Sequence, residues 1–144
     1  VAMRTRLIPL ATLLTPNTPE AELLLGRRIV TAEDAEDAAD ALLELGAGAV
    51  LLKGGHLDEG SRVIDRYFDG VTRDEFIHAR LPVDAHGTGC TLASAIAAQL
   101  CQGLSLPNAC EAAIDYVARG LQSGYYPGRS EVLVIDHFGA ARPA

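Results

Sequence analysis

Four consecutive apolar residues, Ala49-Val50-Leu51-Leu52, stop abruptly at Lys53-Gly54-Gly55, and this decides which folds are open to the chain. A strand with one wet face alternates polar and apolar side chains, whereas a strand covered on both faces does not. The run therefore predicts a short strand buried on both sides. A helix pattern precedes it. Residues 31–45 put Ala35, Ala38, Ala39, Leu42 and Leu45 on one face and Asp37, Asp40 and Glu44 off it. Thr31 and Asp34 have the spacing of a capping box, with Asp in place of the usual Glu. Gly46 and Gly48 then release the chain into the strand.

The same alternation runs through the rest of the chain. Residues 2–8 read as the end of a helix. Thr12-Leu13-Leu14-Thr15 reads as a short strand stopped by Pro16. Thr18 is placed to cap the next helix, with Pro19 at its first position, Glu20 in its first turn and Gly26 at its end. Residues 62–69 and 74–81 read as two strands joined near Asp69-Gly70, as a hairpin or a short flap. A helix follows from Thr88 or Gly89 to Gln102, another from Ser105 to Ser123, and Val132-Leu133-Val134-Ile135 reads as a last strand. This is an α/β pattern. Ligands in such sheets bind beyond the carboxyl ends of the strands. Asn17, Lys53 and a glycine-rich segment after the hairpin stand at those ends, so three separate points are expected to meet in one crevice.

Composition narrows the partners. With 49% hydrophobic and 22% charged residues over 144 positions, the chain reads as one globular domain rather than a disordered one. A net charge of −7 argues against nucleic acid or an anionic membrane as the main partner, though not against a single nucleotide. No apolar run reaches membrane-spanning length. Three cysteines without paired spacing suit a reducing cytoplasm, and Cys101 and Cys110 read as small core residues. The opening Val1-Ala2-Met3 carries no signal-peptide core and reads as the start of a fragment. Lys53 is the only lysine, since the other eleven of the 12 basic residues are arginines. A lysine is a compact point charge that reaches a phosphate where a planar guanidinium does not fit.

His86-Gly87-Thr88-Gly89-Cys90-Thr91 precedes a helix rich in small residues: Ala93, Ser94, Ala95, Ala97 and Ala98. Two glycines allow a sharp bend, and the free amides of a helix start form an anion site. Cys90, in the first turn, would then be placed as a base toward a substrate hydroxyl. The alternative is a glycine turn followed by a buried cysteine that binds nothing. Lys53 has a similar alternative as a surface lysine at a turn, and Glu20 as a helix cap.

These motifs resemble one family. His86-Gly87-Thr88-Gly89-Cys90-Thr91-Leu92 resembles the C-terminal signature of the phosphomethylpyrimidine kinases, which are ribokinase-like. Cysteine at position 90, where most ribokinase-like enzymes carry aspartate, is similar to the pyrimidine kinases and to a cysteine-bearing branch of pyridoxal kinases. Thr15-Pro16-Asn17-Thr18-Pro19-Glu20-Ala21-Glu22-Leu23-Leu24 resembles the TPN-x-x-E-A-E-x-L segment of that family. Val50-Leu51-Leu52-Lys53-Gly54-Gly55-His56 resembles its V-K-G-G-H strand end. Asp65-Arg66-Tyr67-Phe68-Asp69-Gly70 resembles the strand before its hairpin and reads as structural. Asp136-His137-Phe138 resembles its closing H-F, although Pro127-Gly128-Arg129-Ser130 stands where a G-x-G-P run is usual.

The resemblance implies that residues 1–144 form the C-terminal, nucleotide-binding half of a ribokinase-like three-layer α/β/α sandwich. Its sheet would be mostly parallel with a β-hairpin, and the N-terminal half would be absent. Gly87, Thr88 and Gly89 would form an anion hole, with Cys90 as catalytic base. Lys53 would offset phosphate charge, Gly54 and Gly55 would let a nucleotide approach, Asn17 would lie near its phosphates, and Glu20 would serve Mg2+. The implied reaction is ATP-dependent phosphorylation of 4-amino-5-hydroxymethyl-2-methylpyrimidine and then of its monophosphate, in thiamine biosynthesis. A fragment of this kind would be inactive alone, or would pair with a second copy or with the missing half. A pyridoxal kinase, and a half-domain that binds nucleotide or a partner without chemistry, are the alternatives.

Overall fold

In the computed structural model, which describes residues 2–81, 85, 87–129 and 131–141, the apolar run becomes a three-residue strand, β1 (Val50–Leu52), with all its side chains buried. β2 (Arg62–Phe68) runs antiparallel along one edge of β1, with Leu51 opposite Tyr67. β3 (Arg73–Ala79) runs antiparallel to β2, from Phe68 opposite Arg73 to Arg62 opposite Ala79. The β2–β3 connection is a hairpin. Asp69 Oδ1 accepts the Thr72 amide at 2.7 Å and the Val71 amide at 3.0 Å, and Gly70 takes φ +91°. The Thr72 and Val71 amides hold the Asp69 carboxyl below its ordinary value. On β3, residues 73, 75, 77 and 79 are exposed and the intervening ones half-buried, the alternation of a strand with one wet face.

The other edge of β1 is parallel. The Leu14 amide donates to Ala49 O at 2.9 Å, the Leu51 amide to Leu14 O at 2.8 Å, and the Lys53 amide to Pro16 O at 2.8 Å. The expected mostly parallel sheet thus appears as a regular antiparallel sheet flanked by single parallel bridges, Leu14 with Val50 and Asn17 with Lys53. The physical reason lies at Pro16, which has no N–H to donate and so interrupts the ladder.

The chain divides into two compact units, Val1–Arg80 and Leu81–Ala144. In the first, α1 (Thr18–Leu25) and α2 (Ala32–Glu44) complete the core with β1, and Ile8, Ile29, Ala38, Leu42, Val50 and Leu52 meet in it. The cap of α1 is Asn17 rather than Thr18, because the Asn17 side chain is the one that reaches the Glu20 amide. Gly26, at φ +71°, closes that helix. On α2 the expected face is the buried one, with Ala35, Ala38, Ala39 and Leu42 inside. Residues 2–8, expected as a helix end, form one π-helical turn (Met3–Leu7) followed by a 3-10 turn (Ile8–Leu10), and only Ile8 is buried. Pro9 ends regular helical bonding there.

In the second unit, α3 (Thr88–Cys101) packs along α4 (Leu106–Gln122), and the short α5 (His137–Ala140) packs on α4. Leu92 and Ile96 of α3, with Ala109, Ala113 and Ile114 of α4, are buried. A Cβ at Gly120 would lie 2.5 Å from Ile135 Cγ2, so glycine is what lets the returning chain lie against α4. That return, expected as a strand over 132–135, makes two isolated bridges among the described residues: Leu133 with Ala85 in parallel and Val134 with Tyr125 antiparallel. Cys110 is buried as expected, but Cys101 is exposed and is no core residue. His86, the first residue of the glycine motif, and Ser130 lie outside the described residues. Among those described, no helix is long and apolar enough to cross a membrane.

The α2 cap yields a test. The Val30 and Thr31 amides, and then the Thr31 side chain, hold the Asp34 carboxyl below its ordinary 3.8. A depressed carboxyl adds stability above its unfolded value, and loses it as pH falls through the folded one. Asp34→Ala is therefore expected to melt below wild type at neutral pH. The gap between the two melting temperatures is expected to narrow on acidification below pH 3.8.

Candidate functional site

In the first unit the fold brings Asn17 and Lys53 side by side. They end neighbouring parallel segments, joined by a backbone bridge, and the Thr18 hydroxyl reaches the Lys53 carbonyl at 3.5 Å. This is the carboxyl edge where ligands of α/β sheets bind. Lys53 is half-buried, and among the described residues no carboxylate stands in ion-pairing range of its ammonium. Its charge is therefore available to an anion.

Asn17 and Glu20 also form a capping box. Glu20 Oε2 accepts the Asn17 amide at 2.8 Å, and Asn17 Oδ1 accepts the Glu20 amide at 2.8 Å. The cap leaves the Asn17 side-chain nitrogen and Glu20 Oε1 outside it. Among the described residues no group of three or more His, Cys, Asp or Glu is arranged to hold a metal ion. A magnesium ion here would take most of its oxygens from water and a nucleotide, as that ion commonly does. Glu20, exposed and with one oxygen outside the cap, fits contact through water.

The glycines after Lys53 do two different jobs. A Cβ on Gly54 would overlap the carbonyl of Ile64 in β2, so the close approach that requires glycine there is to the chain itself. Gly55 sits at φ +89°, a conformation that L side chains avoid. The Gly54 amide donates to Asp65 Oδ1 at 2.7 Å, and Asp65 Oδ2 stands 3.1 Å from His78 Nε2. Sequence reasoning read the Asp65 segment as structural and gave His78 no part. The available signal was an aspartate in the middle of an otherwise strand-forming stretch.

In the second unit the glycine motif opens α3. Gly87, at φ +82°, is its N-cap, and no side chain caps the helix. The Thr91 amide donates back to Gly87 O at 2.9 Å. The first-turn amides of Thr88, Gly89 and Cys90 therefore belong to the class of helix-start donors that suit an anion. Cys90 is exposed, so the alternative of a buried inert cysteine does not hold.

The Cys90 side lines an open groove of about 470 Å³ with Thr91, Ser94, Ala95, Tyr116 and His137. Small residues on that face of α3 leave the space. Tyr116 Oη lies 3.3 Å from His137 Nδ1, and the two rings stack at 6.3 Å between centroids. Asp136 holds α5 in place by accepting the Phe138 amide at 3.0 Å, and Arg119 Nε donates to Ala140 O at 3.1 Å. Sequence reasoning found no site role for Tyr116. Ser94, Ala95 and Ala98 recurring on one helical face were the signal that something open lay beside them.

Comparison with known proteins agrees with these motifs. Residues 1–134 match the family model described as phosphomethylpyrimidine kinase. The hydroxymethylpyrimidine/phosphomethylpyrimidine kinase of Mycobacterium tuberculosis is 46% identical over 129 residues, covering 89% of this chain and 47% of that protein. The thiamine biosynthesis bifunctional protein ThiED of Geobacter sulfurreducens is 47% identical over 140 residues, covering 96% of this chain and 28% of that protein. Among solved structures, the pyridoxal kinase from Staphylococcus aureus in complex with AMP-PCP and pyridoxal superposes with a TM-score of 0.90 at 34% identity, over 98% of this chain and 53% of that one. The chain thus has a ribokinase-like α/β fold, and it spans about half the length or less of the relatives it matches.

The two glycine positions separate by mechanism. Gly54→Ala is expected to lose roughly 1–3 kcal/mol by overpacking against β2. Gly87→Ala has open space around it and is expected to lose about 1–2 kcal/mol from its left-handed backbone alone. Urea unfolding measures both. A Gly54→Ala chain as stable as wild type would show that β2 can withdraw from Gly54.

Proposed function

The chain belongs to the phosphomethylpyrimidine kinase family, and from that premise we propose that it is the nucleotide-binding part of an ATP-dependent kinase. Its acceptors are the aminopyrimidine alcohol of thiamine biosynthesis and then the resulting monophosphate. The observation that carries this reading is Lys53 at a strand's carboxyl end, its backbone bridged to Asn17 and its ammonium outside every ion pair among the described residues, in a chain whose relatives are kinases.

Phosphoryl transfer demands little covalent chemistry from a protein and a great deal of charge placement. Lys53 offsets the charge spread over the transferring group. In the second unit, the amides of the Gly87-Thr88-Gly89 turn are donors of the kind that hold phosphoryl oxygens. Cys90 takes the proton of the hydroxymethyl group while that oxygen bonds to the γ-phosphorus and ADP departs with the electrons of the broken bond. Asn17 lies by the nucleotide phosphates, and Gly55 leaves the backbone open beside them. Magnesium bound with ATP would neutralise phosphate charge, and Glu20 would hold it through water. The second transfer runs to a phosphate oxygen and uses the same groups.

Two wider points belong to the same reading. The remainder of the substrate pocket comes from a further polypeptide segment, a second copy or a complementary half-domain, because the chain spans about half of the M. tuberculosis enzyme. A cytoplasmic location suits ATP use and an odd number of cysteines without paired spacing. Pyridoxal kinase activity is the second reading, favoured by the likeness to the pyridoxal-bound enzyme of S. aureus. Pyridoxal also carries a hydroxymethyl group on a nitrogen heteroaromatic ring. The higher identity to the pyrimidine kinase, 46% against 34%, favours the first.

Thermal unfolding with AMP-PCP and Mg2+ tests the nucleotide site. At a hundredfold excess over the dissociation constant, the expected stabilisation is about 2.7 kcal/mol. It should disappear in Lys53→Ala and persist in Cys90→Ala. A full shift retained by Lys53→Ala would remove Lys53 from the site. In the assembled enzyme Cys90→Ala should abolish transfer, and side-by-side turnover of the aminopyrimidine alcohol and pyridoxal decides the substrate.

A further inference from the structure

We infer that Asp65, backed by His78, is a positioning residue that sets the Lys53 ammonium for phosphate binding; this rests on the reading of Lys53 given above. Asp65 lies in the middle of β2 and is only 5% exposed. A carboxylate is costly to keep inside a protein unless its oxygens are held. Here one oxygen is held from the turn after β1 and the other from β3. Oδ1 accepts the Gly54 amide at 2.7 Å, a short bond of the charge-assisted kind. Oδ2 meets His78 Nε2 at 3.1 Å. Asp65 pairs with Phe76 across the hairpin, so His78, two residues on, is its diagonal neighbour on the same face of the sheet.

The consequence falls on Lys53. Gly54 is the next residue, and its amide is the first backbone group beyond the parallel bridge between Asn17 and Lys53. On the other side, the Lys53 amide is tied to Pro16 O at 2.8 Å. The peptide that carries the Lys53 side chain is therefore clamped from both ends, by the parallel segment before it and by the Asp65 carboxylate after it. Gly54 has no side chain with which to hold itself, and the carbonyl of Ile64 leaves no room for one. Asp65 forms no ion pair with the Lys53 ammonium among the described residues, so it fixes the lysine without neutralising it. A site meant to meet a phosphate needs that combination of a fixed backbone and a free cation.

The test is a double-mutant cycle read by NMR titration of AMP-PCP with Mg2+, which measures weak as well as tight binding. Wild type, Lys53→Ala, Asp65→Ala and the double variant are compared. The expected result is about a tenfold loss of affinity for Asp65→Ala in the wild-type background and no further loss in the Lys53→Ala background, the signature of two residues that act as a unit. Asp65→Asn keeps an oxygen for the Gly54 amide and is expected to recover most of the affinity. Equal losses in both backgrounds, or wild-type binding by Asp65→Ala, would overturn the inference and leave the Lys53 reading standing. Equal binding by wild type and Lys53→Ala would overturn that reading itself, and the inference with it. If Asp65→Ala does not fold, His78→Ala takes its place in the same cycle and is expected to show the same loss, smaller in size. Additive behaviour of His78→Ala would overturn the inference equally.

Discussion

β1 is enclosed along both edges, and its three side chains are buried. A strand whose side chains are all buried can bear a charge only where a partner meets it, because a buried unpaired charge costs several kcal/mol, and none of the three residues of β1 is charged. The first charge after β1 is Lys53, which stands at the last parallel bridge. The glycines that follow turn the backbone away at once. The position of the cation is thus a by-product of how completely the strand before it is covered. Asn17 arrives at the same level because its segment runs parallel to β1 and ends in step with it.

The other basic groups nearby hold the loop that Lys53 begins. Arg80 donates to the carbonyls of Gly55 at 2.6 Å, Leu57 at 2.9 Å and Gly60 at 3.2 Å. Arg66, buried beside Asp65 in sequence but on the opposite face of β2, pairs with Glu59 of that loop at 2.6 Å and with Glu75 at 3.4 Å. A planar guanidinium with several fixed donors suits such multi-carbonyl anchoring, and a compact ammonium does not. Arg80 and Arg66 serve the architecture of this loop, while Lys53 forms no ion pair among the described residues. Asp65 and Arg66 also illustrate the strand rule that neighbours in sequence face opposite ways. One ties β2 to the exit of β1, and the other ties it to the loop beyond.

Much of the fold could be read from the residues alone. The α2 face was visible because apolar spacing of three and four residues needs only local geometry to interpret. Its capping box was visible because Thr31 and Asp34 are three residues apart. The hairpin was visible from Asp69-Gly70. Position 17 was harder. Asn17 and Thr18 are both good caps, and which one serves depends on the direction from which the chain enters the helix. Here the entry is set by a parallel bridge to Lys53, 36 positions away in the numbering. Cys101 and Cys110 look alike in sequence, and only the packing of α4 buries one of them.

The site divides in the same way. From residue types alone came Lys53, the Gly87-Thr88-Gly89 turn and Cys90, since a lone lysine at a strand end and glycines at a helix start have meaning without a partner. What the tertiary structure decided was which groups lie beside them. Asp65 reaches Gly54 over 11 residues, and Tyr116 meets His137 over 21. The partners in each pair lie in different elements, so no pattern within one element announces them. Backbone periodicity determines what a residue can face within its own element. Which side chain lies across from it depends on strand register and helix packing, and these exist only once the chain has folded.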